Sequence, residues 1–331
     1  MTAIIEAATP SDLNAIVDLL TQDAKRRYAK DPILWKLAAD IPEKVVPTVK
    51  ATLETKNPPF REQWLLAKAS DDVVGIAHTV LLPVPPIYAG KFGPPGLIME
   101  DSYVSKDAPE DTPSVLLQAA ETDLIEAGAK VLLASSAVDG PWEPEFTAHS
   151  YEPLTHYLAK TGLIKDRHVD GARAAVAEDV PAIVKSGAVN RNILFGLNAF
   201  WEPHADADTR FADWMTFSLE LTDRDMFVSE ADGGLEGYII SQPATPLHFP
   251  AAHDISATGI IDDYFHIDFE DPHELKDTAH GAHTLLRSAE AALQDRGGDA
   301  VLVVCPAAWK SKIQLLESAG YETAVSWLIK R

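Results

Sequence analysis

Two carboxylates in apolar, extended runs are the residues best suited to acid–base chemistry. Glu100 lies in LIMEDSYV and Asp263 lies in IIDDYFHI. Because side chains alternate along a strand, each carboxylate is expected on the same face of an equivalent strand. The neighbouring polar side chains are expected on the opposite face: Asp101, Asp262 and His266. A carboxylate within reach of an attacking ammonium group can act as its general base. The alternative is a hydrogen-bonded structural carboxylate, and the sequence leaves both interpretations open.

The turns that follow these two runs each lead into a helix, where a phosphate group could bind. Such a site needs free backbone N–H groups at the helix N-terminus, and glycine lets the backbone approach the phosphate. The first turn has no glycine and carries Asp107, Glu110 and Asp111, and Pro113 lacks an N–H group. These residues suit a helix N-terminus and disfavour a phosphate. The second turn, KDTAHGAHTLL, contains a lysine, two histidines and a glycine, so it remains open to either interpretation.

An internal repeat places these runs and turns in the same order in both halves of the chain. AATPSDLNAIVDLL resembles AAVAEDVPAIVKSG, and DDVVGIAHTV resembles DGGLEGYIIS. Each half predicts a strand, one or two helices, a three-strand meander, a helix, a strand and a last helix ending at a glycine, Gly162 or Gly320. The segment PLTHYLAKTGL is therefore predicted to be helical. We expect a boundary near 169–171 and expect the sheet of the first half to be completed by the second half.

Composition limits the classes of partner. The 331 residues include 50 acidic and 28 basic side chains, giving a net charge of −22, and both halves are acidic. Such a surface disfavours nucleic acid and anionic membranes and tolerates a cationic ligand. Cys305 is the only cysteine, and the histidines have no paired metal-ligand spacing apart from the i, i+3 pair His280 and His283, so neither a disulfide framework nor a metal site is expected. The chain is expected to be cytoplasmic.

The element order, together with the phrases IIEAATPSDLNAIVDLL and IQLLESAGY, resembles the GNAT superfamily of N-acetyltransferases, with two GNAT-like domains in tandem. The resemblance covers residues 1–170 and 171–331. It implies an α/β (α+β) fold in which each domain has a mixed, mostly antiparallel sheet, flanked by helices and splayed open between its fourth and fifth strands. It also implies acetyl-CoA in that splay as a co-substrate, and acyl transfer to a small-molecule amine acceptor.

The superfamily loop that binds acetyl-CoA reads roughly Arg/Gln-x-x-Gly-x-Gly/Ala before a Leu-Leu pair. Aligned on that pair, the second half fits only at Ala282, with Gly281 one residue early, and the first half fits nowhere. The predicted cofactor-binding residues are therefore all in the second half: Ile267, Lys276, His280, Gly281, Ala282 and His283. Residues 1–170 are expected to be structural or degenerate, whereas residues 171–331 are expected to be the ligand-binding or active half. Asp263 and Glu100 are the catalytic candidates, and Asp263 is the expected base.

The identity of the general acid and the function itself stay open. The superfamily commonly places a tyrosine four residues before the glycine that closes the last helix, and this chain has Leu158 and Leu316 there. The thiolate would then take its proton from water or Tyr321. One interpretation is an acetyl-CoA-dependent N-acyltransferase that acts on an unidentified small amine. The alternative is a GNAT-like small-molecule-binding or interaction protein that has lost CoA binding. Neither the acceptor nor the oligomeric state can be predicted from this sequence.

Two further segments are candidates for an acceptor site. PVPPIYAGKFGPPG is rich in proline and glycine and is expected to form a rigid loop over the site entrance. Phe200, Trp201 and Trp214 could line an acceptor pocket, although core packing is the alternative.

Overall fold

A computed structural model describes residues 2–55, 60–70, 72–163, 171–231 and 233–331. The helices of these ranges are α1 (Leu13–Lys30), α2 (Ile41–Glu54), α3 (Thr112–Glu126), α4 (Glu143–Ala148), α5 (Val180–Leu197), α6 (Ala207–Glu220), α7 (His280–Asp295) and α8 (Lys310–Ser318). The strands are β1 (Ile4–Ala7), β2 (Glu62–Ala69), β3 (Asp72–Leu81), β4 (Pro95–Ile98), β5 (Tyr103–Val104), β6 (Val131–Ala137), β7 (Glu152–Thr161), β8 (Arg173–Ala174), β9 (Asp225–Ala231), β10 (Gly234–Pro243), β11 (Thr258–Ile261), β12 (Tyr264–His266), β13 (Ala300–Pro306) and β14 (Glu322–Lys330). The predicted boundary falls largely on residues 164–170, which lie outside the described residues.

One mixed sheet runs through both halves in the order β1-β2-β3-β4-β6-β14-β7-β13-β11-β10-β9-β8. Its pairs are antiparallel except β4 with β6 and β11 with β13. The C-terminal strand β14 lies between β6 and β7, and β7 in turn pairs with β13. Each half therefore contributes one strand next to the other half's strands, so the sheet of the first half is completed by the second half, as the sequence led us to expect.

The fourth strand of each half is broken, and both predicted carboxylates lie in the breaks. β4 ends at Ile98 and β5 begins at Tyr103, while β11 ends at Ile261 and β12 begins at Tyr264. Both β5 and β12 pair only with the third strand of their half, β3 or β10. Beyond each break the fourth strand therefore separates from the fifth, which opens the sheet at that point.

The prediction of a helix in PLTHYLAKTGL is wrong. These residues form strand β7, which pairs along its length with β13 on one side and β14 on the other. The last helix of this half is instead the short α4, which precedes strand β7. Because β7 is a central strand, its apolar side chains lie in the core of the protein, and that of Leu158 is fully buried. It has no helical position equivalent to that of Leu316.

Helices cover both faces of the sheet because side chains alternate along the strands. In β2, Leu65 and Ala67 pack with α3, whereas Trp64 and Leu66 pack with α1 and α2. In the second half α7 packs with β9, β10 and β12, and α5 packs with α6 and β10. Among the described residues, no helix is both long enough and apolar enough to cross a membrane.

Candidate functional site

A cavity of about 690 Å³ lies in the second half, beside the break between β11 and β12. Helices α5 and α6 supply most of its wall, and the rest comes from the loop that follows β3 in the first half, the turn before α6, the β11–β12 break and β13. Its lining is Pro86, Ile87, Tyr88, Asn190, Arg191, Leu194, Trp201, Arg210, Phe211, Asp213, Trp214, Phe217, Asp262, Asp263 and Val304. A cavity of this size suits a small organic ligand.

Two adjacent carboxylates line this cavity. The Tyr238 hydroxyl lies 3.5 Å from Asp263 Oδ1, and Gln242 Nε2 donates to Asp262 Oδ2 over 3.1 Å. Burial raises the pKa of Asp263 to about 7, and the negative charge of Asp262 adds to this effect. We expected these two side chains on opposite faces of a strand. They reach the same cavity because the strand is interrupted at these two residues, so the alternation does not hold there.

A buried amide adds a third acceptor. Asn190 on α5 is only 7% exposed, and its Oδ1 has no hydrogen-bond partner among the described residues. The neighbouring guanidinium of Arg191 is already engaged, because it donates to Asp208 over 2.5 Å and stacks 4.7 Å above the Phe211 ring. A buried acceptor without a partner is costly, so this amide is a strained feature of the wall beside the two carboxylates.

The loop of the first half closes one side of the cavity, as its proline and glycine content predicted. Ala89 N donates to Glu202 O over 2.7 Å, and His204 N donates to Ile87 O over 3.0 Å. The ring of Tyr88 lies 5.1 Å from the ring of Trp201. Burial, with Asp263 as the next cause, raises the pKa of Tyr88, so its hydroxyl stays protonated. The first half therefore completes the cavity of the second.

The three aromatic candidates have different places. Trp201 and Trp214 line the cavity. Phe200 instead lines a separate void of about 20 Å³ with residues of the same loop, including Val84 and Phe92. Two of the three therefore belong to the candidate site.

Glu100 has a different environment from Asp263. Its carboxylate accepts from Arg27 Nη1, Arg27 Nη2 donates to its backbone oxygen over 2.6 Å, and Arg27 Nε donates to Asp23 over 2.7 Å. Burial raises the pKa of Glu100 to about 7, and Arg27 opposes this shift. The neighbouring Asp101 pairs with His78 over 2.8 Å. This arrangement leaves Glu100 engaged within the protein and favours the structural interpretation of its carboxylate.

The predicted cofactor residues surround the N-terminus of α7 without forming an open phosphate site. Lys276 and His280 are exposed, Ile267 is half-buried in a 3₁₀ turn, and His283 Nε2 lies 3.5 Å from Ser318 Oγ. Ala282 N already donates to Asp268 Oδ2 over 3.1 Å. A Cβ at Gly281 would lie 2.3 Å from His266 Nε2. Gly281 is therefore required by the packing of His266. The backbone N–H of Ala282, which a phosphate would need, is already bonded to the carboxylate of Asp268.

The gap between β12 and β13 is bridged by side chains from the start of α8. Lys312 is 3% exposed, and its Nζ donates to Tyr264 O over 2.8 Å while lying 5.3–5.7 Å from three aromatic rings. Trp309 Nε1 and Ser311 Oγ both donate to Phe269 O, over 2.8 and 3.3 Å. These bonds tie the start of α8, which follows β13, to backbone oxygens of β12 and of the turn after it.

The residues around the splay therefore do not fit acetyl-CoA, the co-substrate that the resemblance implies. A thioester arm in the splay of the second half would have to displace Lys312, and its phosphates would meet the Asp268 carboxylate. In the first half, Thr112 N at the start of α3 bonds Pro109 O, and the buried Trp142 occupies the corresponding splay.

Tyr321, the suggested proton donor to the thiolate, is also engaged in a hydrogen bond. Tyr321 is buried and donates to Glu290 over 2.8 Å, and burial raises its pKa. It does not line the cavity.

Several of these residues have no recognisable signal in the sequence. Asn190 and Lys312 sit in ordinary helical patterns, and Tyr88 comes from the other half of the chain. Asp268 could have been suspected from its acidic position in front of a helix. Among the described residues no group of three or more His, Cys, Asp or Glu could hold a metal ion.

Solved structures share this fold. A GCN5-related N-acetyltransferase from Sphaerobacter thermophilus is 15% identical, with 99% of this chain and 95% of that chain covered and a TM-score of 0.55. A tandem GNAT protein from the clavulanic acid biosynthesis pathway is 14% identical, with 99% and 97% covered and a TM-score of 0.50. A glucosamine N-acetyltransferase region of a fungal multi-domain β-N-acetylglucosaminidase is 14% identical, with 99% and 38% covered and a TM-score of 0.54. No protein-family model and no curated protein sequence matches. The chain thus has the tandem GNAT fold, with a mixed, mostly antiparallel sheet flanked by helices.

Proposed function

We propose that this GNAT-fold chain binds a small organic amine in the cavity of its second half, and that it does so without transferring an acetyl group from acetyl-CoA. The observation that carries the proposal is the pair of carboxylates at one end of the cavity, Asp262 and Asp263, beside the buried amide of Asn190. An ammonium group has three donors and a positive charge, so it can donate to both carboxylates and offset their charge. The acidic surface attracts such a ligand.

The region where acetyl-CoA would bind supports amine binding without acetyl transfer. An enzyme that uses acetyl-CoA needs free N–H groups for the phosphates and a gap for the thioester arm. Here Asp268 takes one N–H of α7, and Lys312 fills the gap. Residues 1–170 then serve as the half that closes the cavity, through the loop containing Tyr88, and residues 171–331 serve as the ligand-binding half.

A second candidate function is acyl transfer to the same amine, and the environment of Asp263 favours it. A general base works best when its pKa is near the operating pH, and the pKa of Asp263 is raised to about 7. In this reaction Asp263 would accept one proton from the bound ammonium, which leaves a neutral amine as the nucleophile. This alternative requires Asp268 and Lys312 to leave their positions before any donor could bind.

Two measurements on the full chain separate the candidates. Titration calorimetry at pH 8 tests a panel of small amines and, separately, acetyl-CoA, and a thiol-release assay tests acetyl-CoA with each amine. We expect heat from at least one amine, no heat from acetyl-CoA and no thiol release. Asp263→Asn should weaken amine binding at least tenfold, whereas the matched control Glu274→Gln, at an exposed acid of the same half, should not.

Other outcomes contradict the proposal. Thiol release that Asp263→Asn lowers by about 10²–10⁴-fold, with Glu274→Gln unaffected, would establish the second candidate and overturn the first. If no amine binds, the proposed function is wrong.

A further inference from the structure

We infer that the ligand of the cavity is a monoamine with a flat apolar body, whose ammonium group lies at Asn190, Asp262 and Asp263 and whose body lies between the aromatic side chains towards the cavity mouth. This inference rests on the proposed function, because it specifies the amine that the cavity takes. It concerns the ligand alone and does not depend on any acyl donor.

The end of the cavity that holds Asp262 and Asp263 favours a ligand with an ammonium group and no carboxylate. The two guanidinium groups of the lining are paired within the protein: Arg191 with Asp208, and Arg210 with Pro86 O and with Asp206, 3.6 Å away. A ligand carboxylate would therefore find no free cation and would face the two aspartates. This disfavours amino acids relative to the corresponding monoamines.

The walls select an apolar body. Tyr88 and Trp201 pack against each other in a tilted arrangement on one side, and Trp214 and Phe217 lie on α6 with their rings 6.0 Å apart. Trp214 and Phe217 are 43% and 51% exposed, which is unusual for side chains of this size. Exposed aromatic rings beside a cavity gain apolar contact area when a ligand covers them. A short diamine such as putrescine has no ring to cover these side chains, so it gains less apolar contact area there.

A panel of four probes tests the ligand class by titration calorimetry at pH 8. 2-Phenylethylamine has the predicted ammonium and body, 2-phenylethanol lacks the charge, phenylalanine adds a carboxylate, and putrescine replaces the ring with a second ammonium. We expect 2-phenylethylamine to bind at least tenfold more tightly than each of the other three. Equal or tighter binding of any of them overturns the inference.

Two variants test whether the ligand binds in this cavity. Trp214→Ala should weaken 2-phenylethylamine at least threefold and leave putrescine unchanged, because only the aromatic body contacts Trp214. The matched control is Phe195→Ala on α5, since Phe195 is 39% exposed and lies outside the cavity lining. If Phe195→Ala weakens binding as much as Trp214→Ala, the ligand does not lie in this cavity.

The same data separate this inference from the proposed function. Failure of all four probes and of the wider amine panel refutes both. Binding of putrescine or phenylalanine as the tightest probe refutes only the ligand class. Thiol release with 2-phenylethylamine refutes only the statement that no acetyl group is transferred.

Discussion

Asp263→Asn should make the protein more stable above neutral pH, because the wild-type carboxylate must ionise in a poorly solvated position. The pKa of Asp263 is raised from 3.8 to about 7, chiefly by burial and then by Asp262. One pKa unit corresponds to about 1.4 kcal/mol, so the full shift corresponds to roughly 4 kcal/mol. Asp263 is half-buried and faces the cavity, so water reduces this, and we expect a gain of about 1–2 kcal/mol in the free energy of unfolding at pH 8.

The sign follows from proton linkage. Between about pH 4 and pH 7 the folded protein keeps a proton on Asp263 that the unfolded chain releases, so this group destabilises the fold as the pH rises through that window. Asparagine remains neutral throughout. The variant and the wild type should therefore have similar stability near pH 4 and diverge as the pH approaches 8.

Urea denaturation at pH 4, 6 and 8 is the assay, with Asp254→Asn as the matched control. Asp254 accepts from Ser256 N and pairs with Lys36, and hydrogen bonds from Ser256 and Lys36 lower its pKa to about 2. Its loss should therefore destabilise the protein at pH 8, the opposite sign. If Asp263→Asn is less stable than the wild type at pH 8, the carboxylate is stabilised by its surroundings and our account of the cavity is wrong.

The remaining predictions concern the same cavity and two structural clusters. Binding of 2-phenylethylamine should strengthen between pH 5.5 and pH 8, because Asp263 ionises in this range while the amine keeps its charge; calorimetry that shows weaker binding at pH 8 would contradict this. Gly281→Ala should lower thermal stability by about 2 kcal/mol or more, because its Cβ would overlap His266, whereas Gly196→Ala on α5 meets no atom within 4 Å and should raise it by up to about 1 kcal/mol; equal effects would show that the His266 contact is unimportant. Arg27→Met should cost about 3–5 kcal/mol in urea denaturation because it leaves the buried carboxylate of Glu100 without its cation and removes one of the two arginines that pair with Asp23, and a cost below about 1 kcal/mol would show that the ion pair is not needed.

Much of the fold could be predicted because local patterns and element order agree with it. The meander strands, the helices α3 and α7 and the last helix α8 lie where the repeat placed them. The helix predicted before Gly162 was wrong because β7 is buried on both edges and both faces, so its apolar side chains do not show a clean period of two. Only the strand order, which brings β14 beside β7, explains why this segment is extended.

The candidate site was harder to predict because its chemistry depends on contacts between distant segments. Asp263 could be recognised as a carboxylate in a central strand, but the role of Asp262 depends on the strand break. Lys312 lies in KSKIQLLES, which looks like a helix with exposed lysines, yet it is buried against Tyr264. A lysine is rarely buried without a carboxylate partner, so no local pattern predicts this position.

The two strand breaks show how similar local sequences can give different sites. In the first half the carboxylate in the break is paired: Arg27 reaches it from α1, and the loop that follows β10 packs Phe249 and His253 against Trp35 in front of it. In the second half the arginine of α5, Arg191, donates instead to Asp208 on α6, and among the described residues no direct ion pair holds Asp262 or Asp263. The loop contributed by the first half forms one wall of the cavity, and its Tyr88 packs against Trp201 at the edge of that wall. In the proposed function, a cationic ligand would offset the mutual repulsion of these two carboxylates when it binds. The arginine on the first long helix of each half therefore gives the carboxylate in the strand break a different environment: paired in the first half, and facing the cavity in the second.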